Sequence, residues 1–591
     1  MRFPNPKAHT IKEMRNKMFE AGHVMSLCSG TGLLNLFCRT YSLSDYRNRR
    51  RSFMDKTESQ FARSPLQFFD CNSNVGKIGY KHRLQMWRTE DILAEMDRAG
   101  IAGALVYHGM AKSHSPSYGN GVLAGELQKS QRLFGCWAAM PDQAGDFLSP
   151  ETLVSELKAN GIRAVKIFPK THQFDPDRRT AGKLFAELER QRIPLLVDAA
   201  ELTFSQLADM LADHPELTLL LQGQPWSQER RLFPLMDEYP QLCIEFSALQ
   251  SNAIIETAYE RYGAERLLFG SGMPFKSPGA ARSLIDYAQI PEEAKRLIAG
   301  GNLCRLLGVT LSHTALPAED EVTARASLGL PIQIPVYDSH THLIEDGGGT
   351  GSGFPMLRGD IDNMIKAYRA IGIRKMSIAP WAGINGGDSE AGNTIAEQAI
   401  GKYPDEVEGY VVIDPNYVTD VEAEARKWHV EKGFKGMKPY YFLSRTPYTA
   451  PVYAPWWKLA NELRLYALVD PAGQSDSVYT SQIEELAGRY PEVSIFMDHA
   501  ARSWEIAELY AKVANRFDNV YLQLTYTSVT LGSIEYLVRE AGVHKIMFGT
   551  DSPMRDPRPQ VGWLAYANLS IEEKKALFGG NMKRVWDRCL V

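Results

Sequence analysis

The chain has 591 residues, 44% hydrophobic and 23% charged, with a formal net charge of −4. That length exceeds one ordinary core and fits two domains of roughly 250 residues with extensions. The net charge gives no case for nucleic acid or an anionic membrane surface as a partner.

Seven cysteines (Cys28, Cys38, Cys71, Cys136, Cys243, Cys304 and Cys589) are scattered and include no C-x-x-C pair. This argues against a disulfide framework and for a reduced, cytoplasmic protein. No apolar run reaches the roughly 18 residues that span a bilayer. Val24–Cys38, the stretch nearest a signal sequence, is interrupted by Cys28, Ser29, Gly30 and Asn35.

Residues 1–64 lack a clear period, carry the basic cluster Arg47-Asn48-Arg49-Arg50-Arg51, and are expected to be a flexible extension. Met54, just before the first regular strand, is an alternative start. From Pro65 onward, short apolar runs alternate with amphipathic ones. Strands are predicted at Leu66–Asp70, Ile101–Tyr107, Leu133–Ala139, Arg163–Phe168, Pro194–Asp198, Leu217–Leu221, Leu242–Phe246 and Arg266–Gly270. Helices are predicted between them, among them Glu90–Ala99, Gly121–Arg132, Pro150–Asn160 and Asn252–Tyr262. Eight strand–helix units at this spacing argue for a closed (β/α)8 barrel over 65–308.

A polar linker is expected over 309–332, and the count then restarts over 333–591, with strands ending near His342, Ala379, Ile413, Lys438, Asp470, Asp498, Leu524 and Gly549. Landmarks recur between the halves. Leu196-Val197-Asp198 matches Leu468-Val469-Asp470, Phe269-Gly270-Ser271-Gly272 matches Phe548-Gly549-Thr550-Asp551, and each half closes on Gly-Gly-Asn-x-x-Arg. The fold class is therefore α/β, two tandem TIM barrels from an internal duplication.

Reactive groups of such barrels gather at the C-terminal strand ends. In the second half these ends carry His340 and His342, Lys438, Asp470, Asp498-His499 and Asp551. Two histidines at i, i+2 on a strand share a face and aim at one point. With Asp551 they supply the nitrogen and oxygen donors of a catalytic zinc site, one divalent ion, Zn2+ before Mn2+. Asp470 is a fourth ligand or orients a ligating histidine. Asp551 and His499 are the expected catalytic pair, moving the proton of a metal-activated water and supporting the developing oxyanion. Lys438, Trp381, Tyr441 and Arg555 are the expected substrate contacts. The Gly-rich run 347–353 lacks the Lys-Ser/Thr of a phosphate loop and is expected to be a mobile loop beside the mouth.

Asp338-Ser339-His340-Thr341-His342, the strand Gly436-Met437-Lys438, His499 and Phe548-Gly549-Thr550-Asp551-Ser552-Pro553 resemble the amidohydrolase superfamily, in particular its aminocarboxymuconate-semialdehyde decarboxylase-like branch. The resemblance implies metal-dependent hydrolysis of a C–N or C–O bond, or non-oxidative decarboxylation. That branch usually has histidine where Asp470 stands. It also implies a single metal ion, against a two-ion site bridged by a carbamylated Lys438.

The first half reads Asp70-Cys71-Asn72-Ser73-Asn74 where the second has its histidines, Gly223 for His499 and Gly272 for Asp551. It is expected to be catalytically dead and to pair within the chain, in place of a second subunit. The chain as a whole is open to further homo-oligomerisation. The reading is a hydrolase of a small amide, ester or lactone. Decarboxylation of an aromatic or enoic acid is the alternative, and a metal-free scaffold or small-molecule sensor is the third possibility.

Overall fold

The computed structural model describes residues 65–79, 82–312 and 320–591. The expectations for residues 1–64 lie outside these. The first half forms eight parallel strands in the order of the chain: β1 (Phe68–Val75), β2 (Ile101–His108), β3 (Leu133–Ala139), β4 (Ala164–Ile167), β5 (Leu195–Asp198), β6 (Leu219–Gln222), β7 (Leu242–Glu245) and β8 (Leu267–Leu268). The second half repeats the arrangement: β9 (Val336–Leu343), β10 (Ile373–Pro380), β11 (Val407–Val411), β12 (Gly436–Met437), β13 (Tyr466–Val469), β14 (Ser494–Met497), β15 (Val520–Leu524) and β16 (Ile546–Phe548). With helices between the strands, these are two tandem (β/α)8 barrels.

Strands buried on both faces need apolar residues throughout, which is why they read as continuous runs. Alternate residues serve different cores. Ala467 and Val469 face the helices, while Tyr466 and Leu468 fill the barrel interior. The second barrel is packed inside by Tyr410, Tyr466 and Phe496, with ring centroids 5.2 and 5.6 Å apart.

Closure between first and last strands uses the same device twice. Asp70 Oδ1 accepts from the backbone N–H of Asn72 and Ser271, both at 2.9 Å. Asp338 Oδ1 accepts from those of His340 and Thr550, both at 3.0 Å. The aspartate of the Asp-x-His motif therefore fastens the barrel seam. Asn302 and Asn581 of the closing Gly-Gly-Asn motifs each tie down the entry to the last strand, donating to the carbonyls of Ala264 and Leu267, and of Val543 and Ile546.

Two local expectations shift. The helix after β2 is Pro116–Leu127 rather than Gly121–Arg132, because Ser115 caps it and Pro116 presets its first turn. The 309–332 segment contains a helix, Glu321–Ser327, capped by Asp320 and with six of its residues buried, Val322 to Ser327.

Leu66–Val591 is one compact unit. The halves meet along helices Pro278–Asp286 and Pro557–Ala565, the equivalent helices that follow the last strand of each barrel. A Cβ on Gly279 would lie 2.4 Å from Tyr566 Cβ, and one on Gly562 would lie 2.3 Å from the Gly279 carbonyl oxygen. The loops after the first strands are exchanged. Arg83 after β1 pairs with Glu508 of the second barrel at 2.8 Å. After β9, the carbonyls of Ser352 and Gly353 accept from Arg230 of the first barrel at 2.6 and 3.2 Å, and that of Leu357 accepts from Asn252 at 2.8 Å. The Gly-rich run is therefore held against the first barrel rather than free. Among the described residues no helix is long and apolar enough to cross a membrane.

Candidate metal centre

His340 and His342 leave β9 on one face, with Nε2 atoms 3.2 Å apart. The other nitrogen of each is engaged: His340 Nδ1 lies 3.1 Å from Asp498 Oδ1, and His342 Nδ1 lies 3.0 Å from the Ala379 carbonyl of β10. With Nδ1 as the protonated position, the free electron pairs of both rings turn toward one point. Asp551 Oδ1 joins them, 2.9 Å from His342 Nε2 and 3.6 Å from His340 Nε2. All three side chains are buried. Burial, reinforced by the charge of Lys438, pushes His342 down to about 3 and His340 well below its ordinary value. Both rings are neutral, the form that ligates.

The spacing fits an ion. Ligand atoms about 2.0–2.1 Å from one tetrahedral centre stand about 3.3 Å apart, and the three separations here run from 2.9 to 3.6 Å. The donor set, two imidazoles and one carboxylate, suits a divalent transition metal.

Asp470 does not join this trio. It groups with Asp498 and His499, its Oδ2 3.4 Å from His499 Nε2. His499 Nδ1 lies 2.5 Å from Thr525 Oγ1, and its ring centroid is 5.7 Å from that of His340. Lys438 Nζ stands 3.1 Å from His340 Nε2, and burial lowers its pKa. Arg555 forms an ion pair with Asp551 Oδ2 and donates to Thr527 Oγ1 at 2.7 Å.

One wall is aromatic. Trp381 packs 5.5 Å from His342, Phe354 lies 6.1 Å from Trp381, and Trp226 lies 5.1 Å from Phe354. Trp226 comes from the first barrel, after β6, and its ring lies 5.1 Å from the Arg555 guanidinium. Tyr441 packs against Tyr448 and Arg445. It is Tyr440 whose ring faces Lys438, at 5.9 Å.

Backbone strain marks two of these positions. His499 and Asp551 have φ of 56° and 61°, the left-handed region that side chains disfavour. Their first-barrel equivalents Gly223 and Gly272 have φ of 63° and 75°. The turn is kept in both halves, and only the second bears the cost of a side chain there, in the pattern of strain held at functional sites.

The roles of Asp498, Thr525, Phe354 and Trp226 were not read from sequence. Asp498 stands beside His499 at a strand end, which was a usable signal. Nothing in sequence connects Trp226 to a site in the other repeat.

The amidohydrolase family model (Amidohydro_2) matches residues 88–309 and again 337–588, most of the chain and once per barrel. The chain belongs to the amidohydrolase family. Among solved structures, this amidohydrolase is similar to 2,6-dihydroxybenzoate decarboxylase from Rhizobium, at 15% identity over 43% of this chain and 99% of that one, TM-score 0.35. It is similar to 5-carboxyvanillate decarboxylase from Sphingomonas paucimobilis, at 14% over 43% and 99%, TM-score 0.36. It is also similar to a dihydroxybenzoic acid decarboxylase from Polaromonas with bound manganese, at 15% over 43% and 97%, TM-score 0.34. No curated protein sequence matches the chain at a significant level.

Proposed function

We propose that this amidohydrolase is a metal-dependent enzyme of small carboxylic acids, and that its reaction is the non-oxidative decarboxylation of an aromatic or enoic acid in the second barrel. The observation that carries the reading is the pair of buried cations, Lys438 and Arg555, set beside the ligand trio and against an aromatic wall. Arg555 already has Asp551, but Lys438 forms no salt bridge among the described residues. A buried cation needs an anionic partner, and a flat acid would supply both the anion and the stacking face. A divalent ion held by His340, His342 and Asp551 would supply a Lewis acid for a substrate oxygen.

The chain's own groups do the rest. Lys438 and Arg555 orient the acid, while Trp381 and Phe354 hold its plane and exclude water. Breaking the bond to the carboxylate leaves an electron pair on carbon, which a proton must meet as carbon dioxide departs. Asp551 is taken up by Arg555 and the two histidines, so His499, between Thr525 and Asp470, is the better proton carrier.

Hydrolysis of an amide, ester or lactone is the second reading, favoured by the place of Asp551 beside both histidines, where its carboxylate could accept a proton from attacking water. Metal-loaded protein offered carboxyl-labelled hydroxybenzoates and enoic acids in oxygen-18 water separates them. Labelled carbon dioxide with no oxygen-18 in the remaining product supports decarboxylation. Oxygen-18 in the product of an ester, amide or lactone, with no carbon dioxide, replaces it with hydrolysis. Protein that takes up no metal and turns over neither set returns the assignment to a scaffold or sensor.

A further inference from the structure

The mouth of the first barrel keeps a cavity of about 570 Å3, a size that suits a small ligand. Among the described residues, groups of three potential metal ligands occur in the second barrel alone. The first-barrel cavity is lined instead by the amides of Asn72 and Asn74 and the ammonium groups of Lys112, Lys166 and Lys276, with Asp198 as its one carboxylate.

Two of its lysines are neutralised. Lys166 Nζ lies 2.7 Å from both Asp198 Oδ1 and Gln222 Oε1, and Lys112 Nζ lies 2.8 Å from Glu201. Lys276 differs. It donates to the Thr527 carbonyl at 3.0 Å and, among the described residues, forms no salt bridge. The nearby buried carboxylate Glu245 is occupied by the Asn72 amide at 3.0 Å, the Gly223 N–H at 2.6 Å and the Ser247 hydroxyl at 2.8 Å. Burial holds Lys276 down at about 8. On the same wall, Asn74 is 3% exposed and its Nδ2 has no hydrogen-bond partner. Tyr107 and Met273 supply apolar lining.

An ammonium without a salt bridge and an orphaned amide donor in a largely apolar cavity are the complement of one ligand class. We infer that the first barrel binds a small organic carboxylate without a metal, its carboxylate on Lys276 and Asn74 and its apolar body against Tyr107 and Met273. This site is independent of which reaction the second barrel performs. It sits close to that reaction, since Thr527, whose carbonyl takes Lys276, offers its hydroxyl to Arg555.

The test is calorimetric titration of the metal-loaded full chain with benzoate, for wild type and for Lys276→Met, Asn74→Leu, Lys276→Arg and His340→Ala, with a melting curve for each. The expected result is a binding step that survives His340→Ala, weakens about tenfold or more in Lys276→Met and Asn74→Leu, and stays within about threefold in Lys276→Arg. Folded Lys276→Met and Asn74→Leu proteins that bind as wild type does would overturn the site. So would a single binding step that His340→Ala alone removes. Inorganic phosphate displacing benzoate at equal concentration would overturn the carboxylate assignment, because phosphate offers no apolar body.

Discussion

Arg558 of the second barrel grips Glu256 of the first at two points, Nη1 to Oε1 at 2.7 Å and Nη2 to Oε2 at 2.9 Å. Burial alone would raise the Glu256 carboxyl, but the charge and hydrogen bonds of Arg558 hold it at about 2 against an ordinary 4.5. A carboxylate depressed on folding stabilises above its unfolded pKa, and that contribution is lost as pH falls through the folded one. The pair should therefore contribute a few kcal/mol above pH 4.5 and lose it between 4.5 and 2. Chemical denaturation across this window should show the slope in wild type and a shallower one in Glu256→Gln. At neutral pH that variant should lose about 1.5–3 kcal/mol, the worth of charge-assisted hydrogen bonds, because Arg558 keeps its second pair, Nε to Asp556 Oδ1 at 2.7 Å.

Metal content is the second prediction. Purified protein supplied with zinc or manganese should hold about one equivalent by elemental analysis, and His340→Ala should hold none. Asp498→Asn should keep the site but weaken the ion about 10–100-fold, since Asp498 orients the His340 ring from behind. Two equivalents would instead make Lys438 a bridging ligand.

Trp226 gives a prediction that crosses the repeat. Its ring lies 5.1 Å from the Arg555 guanidinium, a contact worth about 0.5–2 kcal/mol where water is excluded. Trp226→Leu should raise KM several-fold to about tenfold in the second barrel's reaction with a smaller change in kcat, and metal content should not move. An unchanged KM would show that the first barrel does not complete the site.

The strained turn at His499 permits a comparison at one position. His499→Gly and His499→Ala both remove the imidazole and should both abolish turnover. With φ at 56°, the glycine variant should be more stable than the alanine variant by about 1 kcal/mol in denaturation.

Much of this was legible because strand ends carry the chemistry and strand periodicity is local. The β9 motif, the strand ends of the second barrel and the loss of ligands in the first all follow from short stretches read in register. What escaped depends on contacts between distant segments. Asp470 was expected to be a fourth ligand or the partner of a ligating histidine because its strand ends at the same mouth, yet its carboxylate lies against His499. Tyr440 and Tyr441 both follow the same strand end, and only the folded chain shows that the ring of Tyr440 faces Lys438 while Tyr441 packs on Tyr448 and Arg445. The Glu321–Ser327 helix is short, and its burial comes from helices of both barrels.

The exchanged loops set the terms on which the two halves can change. A segment of one barrel that rests on Arg230, Asn252 or Glu508 of the other is answerable to a surface it does not own. The first copy carries Asn72 and Asn74 where its twin has histidines, yet it holds Arg230 and Asn252, on which that twin leans. Duplication here did not grant independence, and each half forms part of the other's environment.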